Sequence, residues 1–406
     1  MSKLEELIQK LCPNGVKYKP LNNVVKSIST GLNPRKNFTL NIEGATNFYV
    51  TVKEITTGKI VFSDKTDKIT DEALNIIQDR SNLESGDILL SGIGTIGKVA
   101  LVDIPLGNWN CSESVFLIKP KNDIITSAFL AYILGSKNVQ KFFQEKARGS
   151  TLKGIRQQDL KLLKVPVPPI EVQEEIVRIL DKFTELSAEL SAELSARKKQ
   201  YEFYMNHLLK CNQLNCKTMQ LGEIGSVNMC KRIMKSETNT QGGIPFYKIG
   251  TFGKQADAYI SKETFEKYST LYPYPKKGDV LISAAGTIGR TIIFDGQSAY
   301  YQDSNIVWLN HDESIVLNKY LYYYYQLQPW AISTGGTIPR LYNENILKAK
   351  ISVPPLEEQK RIIAILDRFD KLCNDISEGL PAEIEARQRQ YEYYRDKLLT
   401  FEEIAQ

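Results

Sequence analysis

The chain is written twice. GDILLSGIGTIGKVALVD, starting at Gly86, returns as GDVLISAAGTIGRTIIFD at Gly278, an offset of 192. GSTLKGIRQQDLKLLKVPVPPIEVQEEIVRILDKF, from Gly149, returns as GGTIPRLYNENILKAKISVPPLEEQKRIIAILDRF from Gly335, an offset of 186. ARKKQYEFYMNHLL, from Ala196, returns as ARQRQYEYYRDKLL from Ala386, an offset of 190. Solenoid repeats have periods of about 20–50 residues. A unit near 190 residues is instead a domain with its appendage, duplicated in tandem. Any fold this chain adopts must work as two copies of one architecture.

Each copy has the same order. A β-rich, aromatic, turn-punctuated region comes first, then the punctuation VPVPP or SVPP, then a long charged helical stretch. Proline suits the first turn of a helix, so the first long helix is expected to start just after Pro169 and to reach about Lys210. Ile176, Leu180, Phe183, Leu186, Leu190 and Leu194 step by three or four and trace one helix face. Ile362, Leu366, Phe369, Leu372, Ile376, Leu380 and Ile384 do so in the second copy. A helix of ~40 residues spans ~60 Å, and its apolar stripe needs a partner. The simplest partner is the other helix, antiparallel, because a globular region separates the two in sequence. Gly379 and Pro381 predict a bend near Leu380, since proline kinks or breaks a helix interior.

The expected fold class is therefore α+β: two β-rich domains in tandem repeat, each followed by a long helix, the helices pairing as an antiparallel coiled coil. The expected segments are residues 1–168, 169–212, 213–354 and 355–406. Between Phe183 and Ala196 the tetrapeptide ELSA occurs three times from Glu185, and the matching stretch Phe369 to Ala386 is four residues longer. Two readings of ELSA stand: a plain amphipathic spacer, or a ruler whose length sets the distance between the globular copies.

Composition narrows the function. At about 100–200 residues per domain, 406 residues make two or three domains. Hydrophobic residues are 42% and charged residues 24%, as in ordinary globular proteins. No apolar run reaches the ~18 residues of a membrane span, and MSKLEELIQKL lacks a signal-peptide h-region, so the expected location is cytoplasmic. A net charge of +5 and a pI of about 8.6 permit nucleic-acid binding without demanding it, since the strong footprint is a pI above about 9. The six cysteines form no C-x-x-C pair, and His207 and His311 are the only histidines, which argues against a metal centre or histidine acid–base site. H-E-x-x-H, G-x-S-x-G and H-x-E with P-C-x-x-C are all missing. Pro-Pro occurs only at Pro168–Pro169 and Pro354–Pro355, followed by Ile170 or Leu356 rather than the aromatic an amino-methyltransferase loop needs to stack on a flipped base. The sequence therefore shows little sign of catalysis.

One loop argues the other way. Gly92, Gly94 and Gly97 fit G-x-G-x-x-G, and Gly92 to Lys98 fits most of G-x-x-x-x-G-K-[ST]. Both nucleotide motifs need a helix after the loop, because its N-terminus binds the phosphate. Here Lys98–Asp103 is short and β-branched and Arg290–Asp295 is more strand-like still, Val99 stands where the phosphate loop wants Ser or Thr, and the second copy has Ala284 in place of Gly92. What survives duplication is G-T-I-G-[KR]. That is a tight turn carrying a cation, either purely structural or bringing the cation to a nucleic-acid backbone.

The doubled order of Gly149-Ser150-Thr151 and Gly335-Gly336-Thr337, Val167-Pro168-Pro169-Ile170-Glu171 with Gln173, Val353-Pro354-Pro355-Leu356-Glu357 with Gln359, the GTIG turns, the paired ARxxQYE[FY]Y stretches and the ELSA array resembles the specificity subunit of Type I restriction–modification systems. The resemblance covers essentially the whole chain. It implies two target-recognition domains, each reading one half of a bipartite DNA site, held apart by the antiparallel helices. It implies two modification subunits that bring S-adenosylmethionine for adenine methylation, and restriction subunits that bring ATP-driven translocation and cleavage with Mg. This chain itself would bind no cofactor and no metal and would catalyse nothing. The alternative is a coiled-coil protein-interaction scaffold without DNA binding.

Half-site readers should differ where the copies differ, roughly residues 22–80 and 222–275. Base edges are read by donors reaching the major groove, whereas phosphate contacts only position a protein. The base-reading candidates are Arg35 and Lys36, and Lys231, Arg232 and Lys235. Lys98, Lys153, Arg156, Arg290 and Arg340 sit on shared turns and suit phosphate contacts.

Overall fold

In the computed structural model, which describes residues 2–404 apart from 36, 57, 151, 211–215 and 333–338, contacts gather into two units. One is Met1–Leu190 with Ile384–Gln406, the other Ser191–Glu383. The division falls inside the helical stretches. Each unit thus owns one β-rich region, the start of one helical stretch and the end of the other.

In the first unit a four-stranded antiparallel sheet runs Val25–Thr30, Val115–Pro120, Ile88–Ser91, Val99–Leu101 in spatial order. Side chains of a strand alternate between faces. On one face Ile88, Leu90, Phe116 and Ile118 pack with the helix Ser127–Gly135 and with Val172, Ile176 and Leu180 of the long helix Ile170–Leu209. On the other, Leu89, Val115 and Leu117 pack with Val50, Trp109 and Cys111. The last three belong to a small mixed sheet in which Asn47–Val50 lies parallel to Trp109–Cys111 and antiparallel to Lys68–Ile69. A central sheet buried on both faces reads as continuous apolar sequence, which is why ILLS and VFLIKP are buried throughout.

The second unit repeats this. Ser226–Met229, Ile306–Asn310, Val280–Ser283 and Thr291–Ile293 form its four-stranded sheet. Val280, Ile282, Val307 and Leu309 face Tyr320, Tyr323 and Tyr324 of the helix Asn318–Gln326, and Leu281, Ile306 and Trp308 face Phe246, Tyr300 and Tyr301. Ile244–Tyr247 lies parallel to Tyr300–Tyr301.

The E-x-Q that follows each proline pair has a structural cause. Gln173 is fully buried; its amide NH2 donates to the carbonyls of Ile124 at 2.9 Å and Pro168 at 2.8 Å, and its oxygen accepts from the Thr126 N–H at 2.8 Å. Gln359, also fully buried, donates to Ile315 at 2.9 Å and Pro354 at 2.8 Å and accepts from Leu317 at 2.9 Å. One amide satisfies three main-chain groups where a loop, a strand end and a helix start converge, which apolar packing cannot do. A second clamp ties the short helix to the long one: Tyr132 donates to Asp181 at 2.6 Å, and Tyr323 to Asp367 at 2.5 Å.

The helical stretches pair within each unit. In the first, Phe183 stacks on Tyr394 at 5.5 Å, and Tyr391, Leu398 and Leu399 join the core around Leu180. In the second, Phe369 stacks on Tyr201 and Tyr204 at 6.1 and 5.4 Å. The ELSA segment is the thinnest part of the stripe, since no residue of 185–196 is buried. The C-terminal stretch is two helices rather than one, Leu356–Asn374 and Leu380–Leu398. Asp375 is extended and its carboxylate accepts from the N–H groups of Ser377 and Glu378. A Cβ on Gly379 would stand 2.5 Å from the Lys371 oxygen. Pro381 falls in the first turn of the second helix, where it is tolerated. Ile376, which the spacing assigns to the apolar stripe, is instead 81% exposed in this turn.

The two ends of the chain meet in the first unit. The Val16 N–H donates to the Glu402 oxygen at 2.8 Å, and the Ile404 N–H to the Val16 oxygen at 3.1 Å. The Tyr18 hydroxyl donates to Phe401 at 3.1 Å. Val16 adjoins the strand Lys17–Pro20, itself paired with Lys164–Val167, so the C-terminal residues extend the edge of that small sheet.

Candidate nucleic-acid interface

The glycine loops are hairpin turns. In the first unit the Ser91 hydroxyl donates to the Thr95 carbonyl at 2.6 Å and accepts from the Lys98 N–H at 2.8 Å. Ser283 does the same with Thr287 at 2.5 Å and Arg290 at 2.9 Å. Gly94 and Gly97 have φ of 81° and 92°, Gly286 and Gly289 of 65° and 80°, a region costly for any residue with a Cβ. Gly92 serves another purpose. Its φ is ordinary, but a Cβ there would stand 2.4 Å from the Phe116 ring. The strand register puts Val307 at the equivalent of Phe116, so the second turn has room for the buried Ala284. Strands, not helices, follow both turns. The helix N-terminus that both nucleotide motifs require is not built at either turn.

The cations on these turns have protein partners. Lys98 Nζ donates to the Val52 carbonyl at 2.8 Å, and an Arg290 Nη donates to the Phe252 carbonyl at 2.9 Å. Val52 lies two residues past the strand Asn47–Val50, and Phe252 five past Ile244–Tyr247. Each cation therefore pins the loop that leaves the parallel strand of the small sheet. The same loops carry exposed side chains further along: Lys53 and Lys59 in the first unit, Lys254 and Gln255 in the second. The repeat could not single these residues out, because the loops carrying them differ between the copies. The signal lay in the chemistry of GTIG-[KR], whose cation needs an acceptor.

The remaining candidates spread over each unit's surface. Lys153 and Arg148 are exposed beside the turn: the Gly94 N–H donates to the Lys153 carbonyl and the Ile155 N–H to the Gly92 carbonyl, at 2.8 and 2.9 Å. Ile93 and Leu152 are exposed there too. Arg156 is exposed and pairs with Asp159 at 3.1 Å. Arg35 is exposed on a turn of the loop that the Tyr49 hydroxyl holds through the Leu32 carbonyl at 2.7 Å; Lys36 lies outside the described residues. In the second unit Lys231 stands over the Tyr272 ring at 5.0 Å, Arg232 pairs with Asp303 at 3.1 Å, and Lys235 is exposed at the start of a short 3₁₀ turn. Arg340 donates to the Ser304 carbonyl and the Asn305 side chain at 3.3 and 3.1 Å. The structure thus brings Lys153 beside the first glycine turn and leaves Arg35 on a separate loop. Among the described residues no His, Cys, Asp or Glu cluster could hold a metal ion, and no helix is long and apolar enough to cross a membrane.

Comparison with known proteins agrees with this duplicated architecture. The family described as the type I restriction modification DNA specificity domain matches residues 13–197 and again 214–386. A putative type I restriction enzyme specificity subunit of Haemophilus influenzae is 43% identical, with 98% of each chain aligned. The EcoR124I/EcoR124II specificity subunit of Escherichia coli is 35% identical over 59% of this chain and 63% of its own. Among solved structures, a chain from a type I R-M system has a TM-score of 0.64 at 21% identity, covering 96% of this chain and 98% of that one. The HsdS subunit of Thermoanaerobacter tengcongensis has a TM-score of 0.50 at 20% identity, covering 96% and 97%; both likenesses concern the fold. With its domain matched twice over nearly its whole length, the chain belongs to the type I restriction–modification DNA specificity subunits.

Proposed function

We propose that each unit reads one half of a bipartite DNA site and that the helical segment between them sets the gap. The observation that carries this is the constancy of the framework against the variety of what it holds. Two buried glutamines, two Tyr–Asp clamps and two serine-stitched turns repeat, while the loops they support differ in sequence and length. A reader of two unlike half-sites needs that combination, and two modest readers on one scaffold gain affinity only when their separation matches the site.

Arg35, Lys36, Lys231, Arg232 and Lys235 are the proposed base-reading side of this surface; Lys153, Arg156 and Arg340 are the proposed phosphate side. In this reading the chain is not an enzyme. Two modification subunits supply S-adenosylmethionine and methylate adenine, restriction subunits supply ATP- and Mg-dependent translocation and cleavage, and the complex acts in the cytoplasm. Removing or adding one ELSA changes the helix by ~6 Å and by ~40° net. Profiling methylated adenines in cells carrying such variants is expected to show a changed gap between unchanged half-sites. Altered half-sites with an unchanged gap exclude the ruler, and a chain that shifts no duplex DNA together with its methyltransferase partner favours the scaffold reading.

A further inference from the structure

We propose that Lys98 and Arg290 are positioning residues for DNA reading: each clamps the loop that presents one half-site's contacts, Lys53 and Lys59 in the first unit and Lys254 in the second. The inference rests on the half-site reading above and goes beyond it, because it moves two cations from the DNA to the protein that faces it.

Three observations converge. First, the acceptor is a main-chain carbonyl in both units, Val52 and Phe252, although the loops around those carbonyls differ in sequence and length apart from the threonine before each. Carbonyl recognition is blind to side chains, so one cation can hold unrelated sequences. Second, each loop is braced internally next to the carbonyl that the cation holds. The Glu54 carboxylate accepts from the Thr51 N–H at 2.8 Å and the Thr51 hydroxyl at 2.7 Å; the Thr251 hydroxyl oxygen accepts from the Lys248 N–H at 3.1 Å. Third, an exposed lysine follows each pinned carbonyl closely, Lys53 one residue on and Lys254 two residues on. Pinning the main chain beside a contact residue fixes where its ammonium can reach. Lys and Arg can exchange between the copies because a single donor meets a single carbonyl, with no bidentate partner to discriminate them.

The test uses the full chain assembled with its methyltransferase partner, comparing Lys98→Met and Arg290→Met with Lys98→Arg and Arg290→Lys. A good base contact is worth about 5- to 150-fold in discrimination, so a loosened loop is expected to relax discrimination about tenfold. Each Met variant should relax its own half-site only, with the other half-site unchanged and the conservative variants restoring it. The dependence of log affinity on log salt should keep its slope, because no phosphate contact is lost. A slope reduced by about 0.9 with discrimination intact makes Lys98 or Arg290 a phosphate contact and overturns the proposal. So does a Met variant that leaves discrimination unchanged, or one that relaxes both half-sites equally. Hydrogen exchange on the unbound full chain gives an independent check. Faster exchange confined to residues 51–59 in Lys98→Met supports the clamp, and unchanged exchange there overturns it. If the wild-type complex methylates no bipartite site, the half-site reading itself fails, and a clamp intact by exchange is then structural only.

Discussion

The turns Ser91–Lys98 and Ser283–Arg290 are one device packed two ways. Both are stitched by a serine hydroxyl, both put glycines at positive φ, and both end in a cation bound to a carbonyl. They differ at their second residue, Gly92 against Ala284, and the difference is answered by Phe116 against Val307 across the sheet. A glycine kept for its backbone must be kept in every copy. A glycine kept for space can be exchanged if a neighbour shrinks. The nucleotide motif in the first copy mixed the two kinds, and only the second copy separates them.

Removing residues 399–406 should destabilise the first unit by about 5 kcal/mol, counting the buried Leu399 at ~2 and the two lost hydrogen bonds to Val16 and one to Tyr18 at ~1 each. The second unit, which is nearer in sequence, should be unaffected. Domain-resolved hydrogen exchange distinguishes this from a loss shared by both units.

Equivalence is tested next. Gln173→Leu and Gln359→Leu each orphan three main-chain groups, and each should cost about 3 kcal/mol in its own unit. A cost below ~1 kcal/mol in either, by chemical denaturation, would end the claim that the clamps are the same. The Gly92→Ala variant should cost about 1–3 kcal/mol by crowding Phe116. Adding Phe116→Val should recover most of it, a non-additivity that a double-mutant cycle reads directly.

The last expected effect is an acid sensitivity that Glu175 gives the first unit and that no carboxylate matches at the equivalent position of the second. Glu175 is buried and accepts from Arg178 at 2.5 and 2.9 Å and from Lys3 at 3.0 Å. Its carboxyl is held down to about 2 from 4.5, chiefly by Arg178. A folded-state pKa below the unfolded one means the contribution is present above pH 4.5 and is lost as pH falls toward 2. The equivalent position in the second unit is Arg361, already paired with Glu358. Acid unfolding should show the effect in the first unit and lose it in Glu175→Gln.

Periodic and local features are legible in the sequence. The duplication, the break near Leu380 and the strand after the glycine turn all follow from spacing or from residues within one turn of each other. What escapes the sequence is non-local. Gln173 reads as one more polar residue on a charged helix, because its three partners come from the segment around residue 125 and from Pro168. Lys98 reads as a free cation, because its acceptor is a main-chain atom 46 residues away. Ile376 fits the stripe by count, but the turn it occupies is made by Asp375 and Gly379, whose hydrogen-bonding and steric demands override a hydrophobic period.

The meeting of residues near 16 and near 402 sets an order of completion during synthesis. The second unit, Ser191–Glu383, is made from one uninterrupted stretch and has all its parts once residue 383 has left the ribosome. The first unit begins earlier but finishes later, because Tyr391, Leu398, Leu399 and the residues that pair with Val16 follow the whole second unit in the chain. At about 5–20 residues per second the N-terminal reader waits for all of its twin. A nascent chain therefore holds at most one finished reader, and the pair needed for a bipartite site arises only after the partners of Val16 and Tyr18 have been made.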